Sequence, residues 1–105
     1  MEVEIQMKVE QHEGYASIIL PEVVDLITAP EFKKVLSSLY DQGCYSINID
    51  CRHLQMIDSA GIGSLALYQK RFQEKGGELR LVNVTGSYIK HLFDMIELQR
   101  VIHIE

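Results

Sequence analysis

The chain has 105 residues, the length of one domain, and at that size a modest core forms without disulfide or metal staples. Hydrophobic residues make up 47% and charged residues 24%, with only 2 prolines, which excludes a disordered tail, a collagen-like repeat and a cysteine framework. The net charge of −5 is uneven, since residues 1–32 hold seven acids against Lys8 alone and the rest eight acids against nine bases; without a dense basic stripe, nucleic-acid binding is disfavoured.

Val3, Ile5, Met7 and Val9 alternate with Glu4, Gln6, Lys8 and Glu10. This period of two predicts a strand with one wet face at a sheet edge, and the segment has neither the basic start nor the apolar stretch of a signal peptide. His12-Glu13-Gly14 predicts a turn, Tyr15–Leu20 a second strand, and Pro21 its end. Thr28 followed by Glu31 reads as a capping box, with Pro30 suited to the first helical turn. Phe32, Val35, Leu36, Leu39 and Tyr40 then recur at helical spacing until Gly43.

Ser46–Asp50 predicts a short strand with Ile47 and Ile49 inward. A second helix is expected from about Ser59 to Lys75, with Ile62, Leu65, Ala66, Gln69 and Phe72 along its buried side and Gly76-Gly77 at its end. Glu78–Val84 reads as strand. Ser87–Ile96 reads as helix, with Ile89, Leu92, Phe93 and Ile96 as its apolar stripe, and Arg100–Ile104 as a last short strand. The longest apolar run, Leu65–Tyr68, has four residues, far too few to span a membrane. The order β-β-α-β-α-β-α-β predicts an α/β fold, a small single domain with a mixed, mostly parallel sheet and helices packed on it.

Chemistry concentrates in Asp58-Ser59-Ala60-Gly61-Ile62-Gly63, at the start of the second helix. Asp58 or Ser59 can cap the free N–H groups there. Glycine inside a helix costs about 1 kcal/mol relative to alanine, so two of them, Gly61 and Gly63, imply a close backbone approach. On residues alone, tight packing plus an ordinary Ser/Asp cap accounts for the segment. No nucleotide loop is present, and Ser59 lacks half of the glycine frame of a hydrolase elbow. Cys44, Cys51 and His53 do not have zinc spacing, and His12, His91 and His103 are scattered, so no metal is expected. Asp50 and Asp58 form a carboxylate pair only in principle; Asp50 reads as a strand-end acid. The two cysteines read as reduced thiols of a cytosolic protein.

The segment Asp58–Gly63 resembles the Asp-Ser-[Ser/Ala]-Gly-[Leu/Ile]-Gly motif of STAS domains, the family of bacterial anti-sigma factor antagonists. Leu20-Pro21-Glu22-Val23-Val24-Asp25 is similar to that family's Leu-x-Gly-x-[Leu/Ile]-Asp pattern, with Glu22 in place of the glycine. Gly76-Gly77-Glu78-Leu79 and Leu92-Phe93-Asp94-Met95 also fall where family members have similar segments, so the resemblance treats residues 1–105 as one STAS domain.

The resemblance implies a binding protein rather than an enzyme, with no cofactor. Its serine, here Ser59, is phosphorylated by an anti-sigma factor serine kinase. The unphosphorylated form binds that kinase and frees a sigma factor, and a protein phosphatase resets the switch. The implied partner surface comprises Asp25, Asp58, Ser59, Ala60, Gly61, Ile62 and Gly63, in a cytoplasmic protein that inserts in no membrane. Read without its family, Asp25 is a solvated loop acid. The other function that the resemblance allows is a scaffold subunit of a sensory or transport-ATPase complex, with Ser59 only a cap. Family members commonly carry a further helix after the last strand, which leaves a homodimer open.

Overall fold

The computed structural model describes residues 7–105, so the strand expected at Val3 and Ile5 lies outside the described residues. In chain order the elements are β1 (Lys8–Gln11), β2 (Ala16–Ile19), β3 (Val23–Val24), α1 (Ala29–Asp41), β4 (Ser46–Asp50), β5 (Met56–Ile57), α2 (Ser59–Glu74), β6 (Glu78–Val82), α3 (Ser87–Met95), a 3-10 turn (Leu98–Arg100) and β7 (His103–Ile104). With the two-residue strands β3 and β5 set aside, this is the expected order.

The hairpin forms as the alternation and Gly14 require. Lys8 faces Ile19 and Gln11 faces Ala16 in antiparallel register, while Gly14 takes a φ of +87° in the turn. The main sheet then runs β1-β2-β4-β6-β7, with every later pair parallel. Parallel neighbours need a crossover, and α1, α2 and α3 supply them. Ile18, Ile47, Ile49, Leu79 and Leu81 are buried under Phe32 and Leu36 of α1, Leu65 and Phe72 of α2, and Ile89 and Phe93 of α3. Each such side chain contributes about 1.5–3 kcal/mol on burial. Ser17, Asn48 and Arg80 sit opposite one another on successive strands and alternate with this core row.

The structure revises three expectations. All four residues of β1 are exposed, Val9 included, while Met7 just before it packs partly against the core. On α2, Ser64 and Tyr68 are buried with Leu65, Gln69 and Phe72, whereas Ile62 and Ala66 are only partly so. Gln69 is satisfied there because its Oε1 accepts from the Leu79 N–H at 2.6 Å and its Nε2 donates to the Val101 carbonyl at 3.3 Å. Near the C-terminus Ile96 is exposed and Glu97 turns left-handed, so Arg100 belongs to the 3-10 turn and the strand shrinks to His103–Ile104. The turn carries Leu98 and Ile102 into the core in place of Ile96.

Candidate functional site

The site is assembled by two short apolar dipeptides that carry no readable period. Val23 pairs with Met56 and Val24 with Ile57, in parallel. The N–H groups of Gln55 and Met56 donate to the Glu22 carbonyl at 2.7 and 3.0 Å, and that of Asp58 donates to the Val24 carbonyl at 3.1 Å. Asp25 follows one strand and Asp58 the other, so two acids far apart in sequence begin adjacent turns.

Asp58 is the N-cap of α2. Its backbone is extended, and its Oδ1 accepts from the N–H groups of Ala60 at 2.9 Å and Gly61 at 3.2 Å. Its Oδ2 accepts from the Leu26 N–H at 3.1 Å, which ties the turn after β3 to the head of α2. Ser59 is the first residue of α2, and it is exposed. Ser64, one turn on, is buried, and its hydroxyl donates to the Ala60 carbonyl at 2.8 Å. Ala60 and Ile62 are half-buried and Gly61 is buried.

The two glycines separate. A Cβ on Gly61 would lie 2.6 Å from Ile57 Cγ1 and 2.9 Å from Val24 Cγ1, so the β3–β5 pair requires glycine there. A Cβ on Gly63 would meet nothing within 4 Å, so among the described residues the close approach expected at that position is absent.

Asp25 is not a partnerless loop acid. Its Oδ1 accepts from the N–H groups of Ile27 at 2.9 Å and Thr28 at 3.1 Å. The Thr28 Oγ1 accepts from the Asp25 N–H at 2.9 Å and donates to the Val23 carbonyl at 3.1 Å. This reciprocal arrangement is a capping box at Asp25–Thr28, one turn before the expected Thr28–Glu31 box. Thr28 already has helical backbone angles and makes no cap bond of its own, and the Ala29 N–H reaches the Asp25 carbonyl at 2.7 Å. The turn pushes Leu26 and Ile27 outward, to 76% and 84% exposure. Sequence reasoning missed both; the signal available was an apolar pair lodged between Asp25 and a helix start.

Asp50 stays outside this site. It is buried at the end of β4 and accepts from Arg52 N and Nε and from Asn83 Nδ2, each at 3.0 Å. Burial alone would push its carboxyl up, but the Arg52 and Asn83 hydrogen bonds and the Arg52 charge hold it below its ordinary value. Asp50 and Asp58 share no hydrogen-bond partner among the described residues. Cys51 is buried, and burial, then the Asp50 charge, pushes its thiol up to about 12, which makes it unreactive. Cys44 and Cys51 are both free. Among the described residues no helix is long and apolar enough to cross a membrane.

The STAS domain family model matches residues 6–105. The chain belongs to the STAS domain family. It is 29% identical over 100 residues to the anti-sigma-B factor antagonist of Bacillus subtilis (strain 168), covering 95% of this chain and 90% of that one. An anti-sigma factor antagonist from Mycobacterium paratuberculosis shares the fold with a TM-score of 0.82 at 18% identity, over 94% of this chain and 83% of that one. The Bacillus cell fate determinant SpoIIAA in its phosphorylated form gives 0.73, also at 18% identity, over 94% and 90%. The fold class and family expected from the motif hold. As a STAS domain of this kind the chain is a binding module and not an enzyme.

Proposed function

We propose that the chain is an anti-sigma factor antagonist switched by phosphate on Ser59. The observation that carries this reading is Ser59 itself: an exposed hydroxyl at the first residue of α2, tied through Asp58 to an outward apolar turn at Leu26 and Ile27. The unphosphorylated surface around Asp25, Asp58, Ser59, Ala60 and Ile62 binds an anti-sigma factor serine kinase in the cytoplasm and frees a sigma factor. Leu26 and Ile27 supply its apolar anchors. Gly61 acts from beneath by keeping the two turns together. The kinase transfers a phosphoryl group from ATP to Ser59 Oγ, the hydroxyl losing its proton, and a protein phosphatase reverses the step by hydrolysis.

The physics supports a switch of binding rather than of fold. A phosphoserine adds about −1.5 to −2 charge, and a helix N-terminus tolerates an anion. The same charge beside the Asp25 and Asp58 carboxylates must be desolvated when a partner covers the patch, so the complex carries the cost. The name of the Bacillus subtilis relative and the phosphorylated SpoIIAA structure support the same reading.

The test uses the purified protein, the anti-sigma factor kinase of the same organism and ATP. Peptide mapping is expected to find phosphate on Ser59 alone. Ser59→Ala keeps wild-type affinity for the kinase, and Ser59→Asp weakens it about tenfold or more, equivalent to about 1.4 kcal/mol. Both variants stay folded, since an acid in the first turn is favourable by about 0.3–1 kcal/mol. Phosphate on Ser37, Ser38 or Ser87 instead, or equal affinity of the two variants, overturns the switch.

A further inference from the structure

The main sheet begins at β1, which pairs with β2 on one side; among the described residues no strand pairs with its other side. The hairpin decides which backbone groups lie along that edge. The His12 N–H donates to the Tyr15 carbonyl at 2.9 Å, so these two residues form a hydrogen-bonded pair. Such pairs alternate with non-hydrogen-bonded ones along an antiparallel ladder. Glu10–Ser17 and Lys8–Ile19 are therefore hydrogen-bonded, and the N–H and C=O groups of Val9 and Gln11 point outward. The strand is held in place, since Gln11 Nε2 donates to Oε1 of Gln42 at the end of α1, at 2.9 Å.

An open edge is a template for another strand, and proteins commonly blunt it with charged side chains. Here the charges favour one particular occupant. Val9 lies opposite Ile18 of the core row, on the helix side of the sheet, and is 41% exposed. Lys8 and Glu10 lie on the other face, both exposed. A second β1 can run antiparallel outside the first, about a two-fold axis at Val9. Val9 then meets its own copy in a hydrogen-bonded pair, and Gln11 falls opposite Met7. Lys8 of each chain faces Glu10 of the other in the non-hydrogen-bonded pairs between, where side chains approach most closely. Moving the axis by one residue sets Lys8 against Lys8 or Glu10 against Glu10. Backbone pairing and charge thus agree on a single register. Neither Lys8 nor Glu10 is in an ion pair among the described residues. Arg52, whose guanidinium feels the Glu10 charge, is hydrogen-bonded to Asp50.

We propose that this edge is a homodimer interface, in which β1 pairs with β1 of a second copy, antiparallel and two-fold at Val9, and joins the two sheets into one. The proposal does not rest on the antagonist reading, because it uses neither Ser59 nor the turns around it. A strand of four residues makes a small contact, so the dimer is weak, with a Kd of about 0.1 mM.

Sedimentation equilibrium of the purified protein, from about tenfold below that value to about tenfold above it, is expected to pass from monomer to mostly dimer. Monomer throughout overturns the proposal. Lys8→Glu and Glu10→Lys each set like charges opposite one another and are expected to raise the Kd at least about tenfold. An equimolar mixture of the two variants is expected to regain wild-type association, because every acid of one chain then faces a lysine of the other. Single variants that associate like wild type, or a mixture that does not recover, overturn the register and the proposal with it. Val9→Pro tests the backbone. Proline is tolerated on an edge strand where the N–H faces solvent, so its thermal melting should stay near wild type while association is lost. Wild-type association in a folded Val9→Pro overturns the pairing; if that variant does not fold, the mixture of charge variants decides.

Discussion

Asp58 divides its carboxylate between two elements, and that division can be tested one oxygen at a time. Oδ1 holds the Ala60 and Gly61 N–H groups, while Oδ2 holds only that of Leu26. Asparagine retains one acceptor oxygen. Two donors at the head of α2 outcompete one at Leu26, so Asp58→Asn keeps the cap and loses the tether. Its amide then points a donor at the Leu26 N–H, which frees that turn. The expected loss of stability is about 0.5–1.5 kcal/mol in urea unfolding, one ordinary hydrogen bond. Amide exchange should rise at Leu26 and stay slow at Gly61. Faster exchange at Gly61, with Leu26 unchanged, would mean that the tether and not the cap had been kept. Asp25 complements this arrangement. Its Oδ1 is used within its own turn, so it shapes the Leu26-Ile27 projection that Asp58 then ties down.

The β3–β5 pair is the element that makes the site, and it depends on Gly61. A methyl at Gly61 collides with Ile57 and Val24, and Ile57 is buried, so the pair must move away from α2. Overpacking of this kind costs about 1–3 kcal/mol, against at most about 1 kcal/mol regained from better helix propensity. Gly61→Ala is expected to lower the urea midpoint; an unchanged midpoint would show that Ile57 gives way freely. The two glycines look alike in the sequence because periodicity says nothing about what lies above a helix. The same limit explains what else escaped. The helices and the strands β2, β4 and β6 were legible because their apolar spacing persists over enough residues to define a period. Strands β3 and β5 have two residues each, too few for any period, and they become strands only by finding each other. The overlapping patterns Asp25-x-x-Thr28 and Thr28-x-x-Glu31 offered two capping boxes. The first prevails because it sits where β3 ends and its N–H groups need partners. In the site, the run from Asp58 to Gly63 and Asp25 were legible as a motif. Leu26 and Ile27 were not, since an outward apolar pair carries no spacing of its own.

At the scale of the molecule, the site sits where parallel strands end and helices begin, the usual place for recognition in an α/β sheet. The frame beneath it is fastened by Asp50, which joins the end of β4 to Arg52 and to Asn83 beyond β6. That fastening makes stability depend on pH with a definite sign. The folded Asp50 carboxyl titrates below its unfolded value, so in the acid range the unfolded chain binds the proton more readily. The contribution of Asp50 is complete above the ordinary aspartate range near pH 4 and is lost as pH falls through the lower, folded value. Arg52 is half exposed, so its hydrogen bonds are worth less than fully buried ones, and about 1–2 kcal/mol is expected in all. Asp50→Asn removes the charge and keeps the shape. Unfolding in urea at pH 7 should place the variant about 1–2 kcal/mol below wild type. The gap should narrow steadily on acidification, because wild type then loses what the variant never had. Arg52 is not stranded by the change, since it already reaches solvent. A gap of the same size at pH 7 and in strong acid would trace the loss to packing at residue 50 rather than to its carboxylate. Kinase binding by Asp50→Asn at neutral pH should match wild type, because Asp50 lies beneath the frame and not on the patch around Ser59.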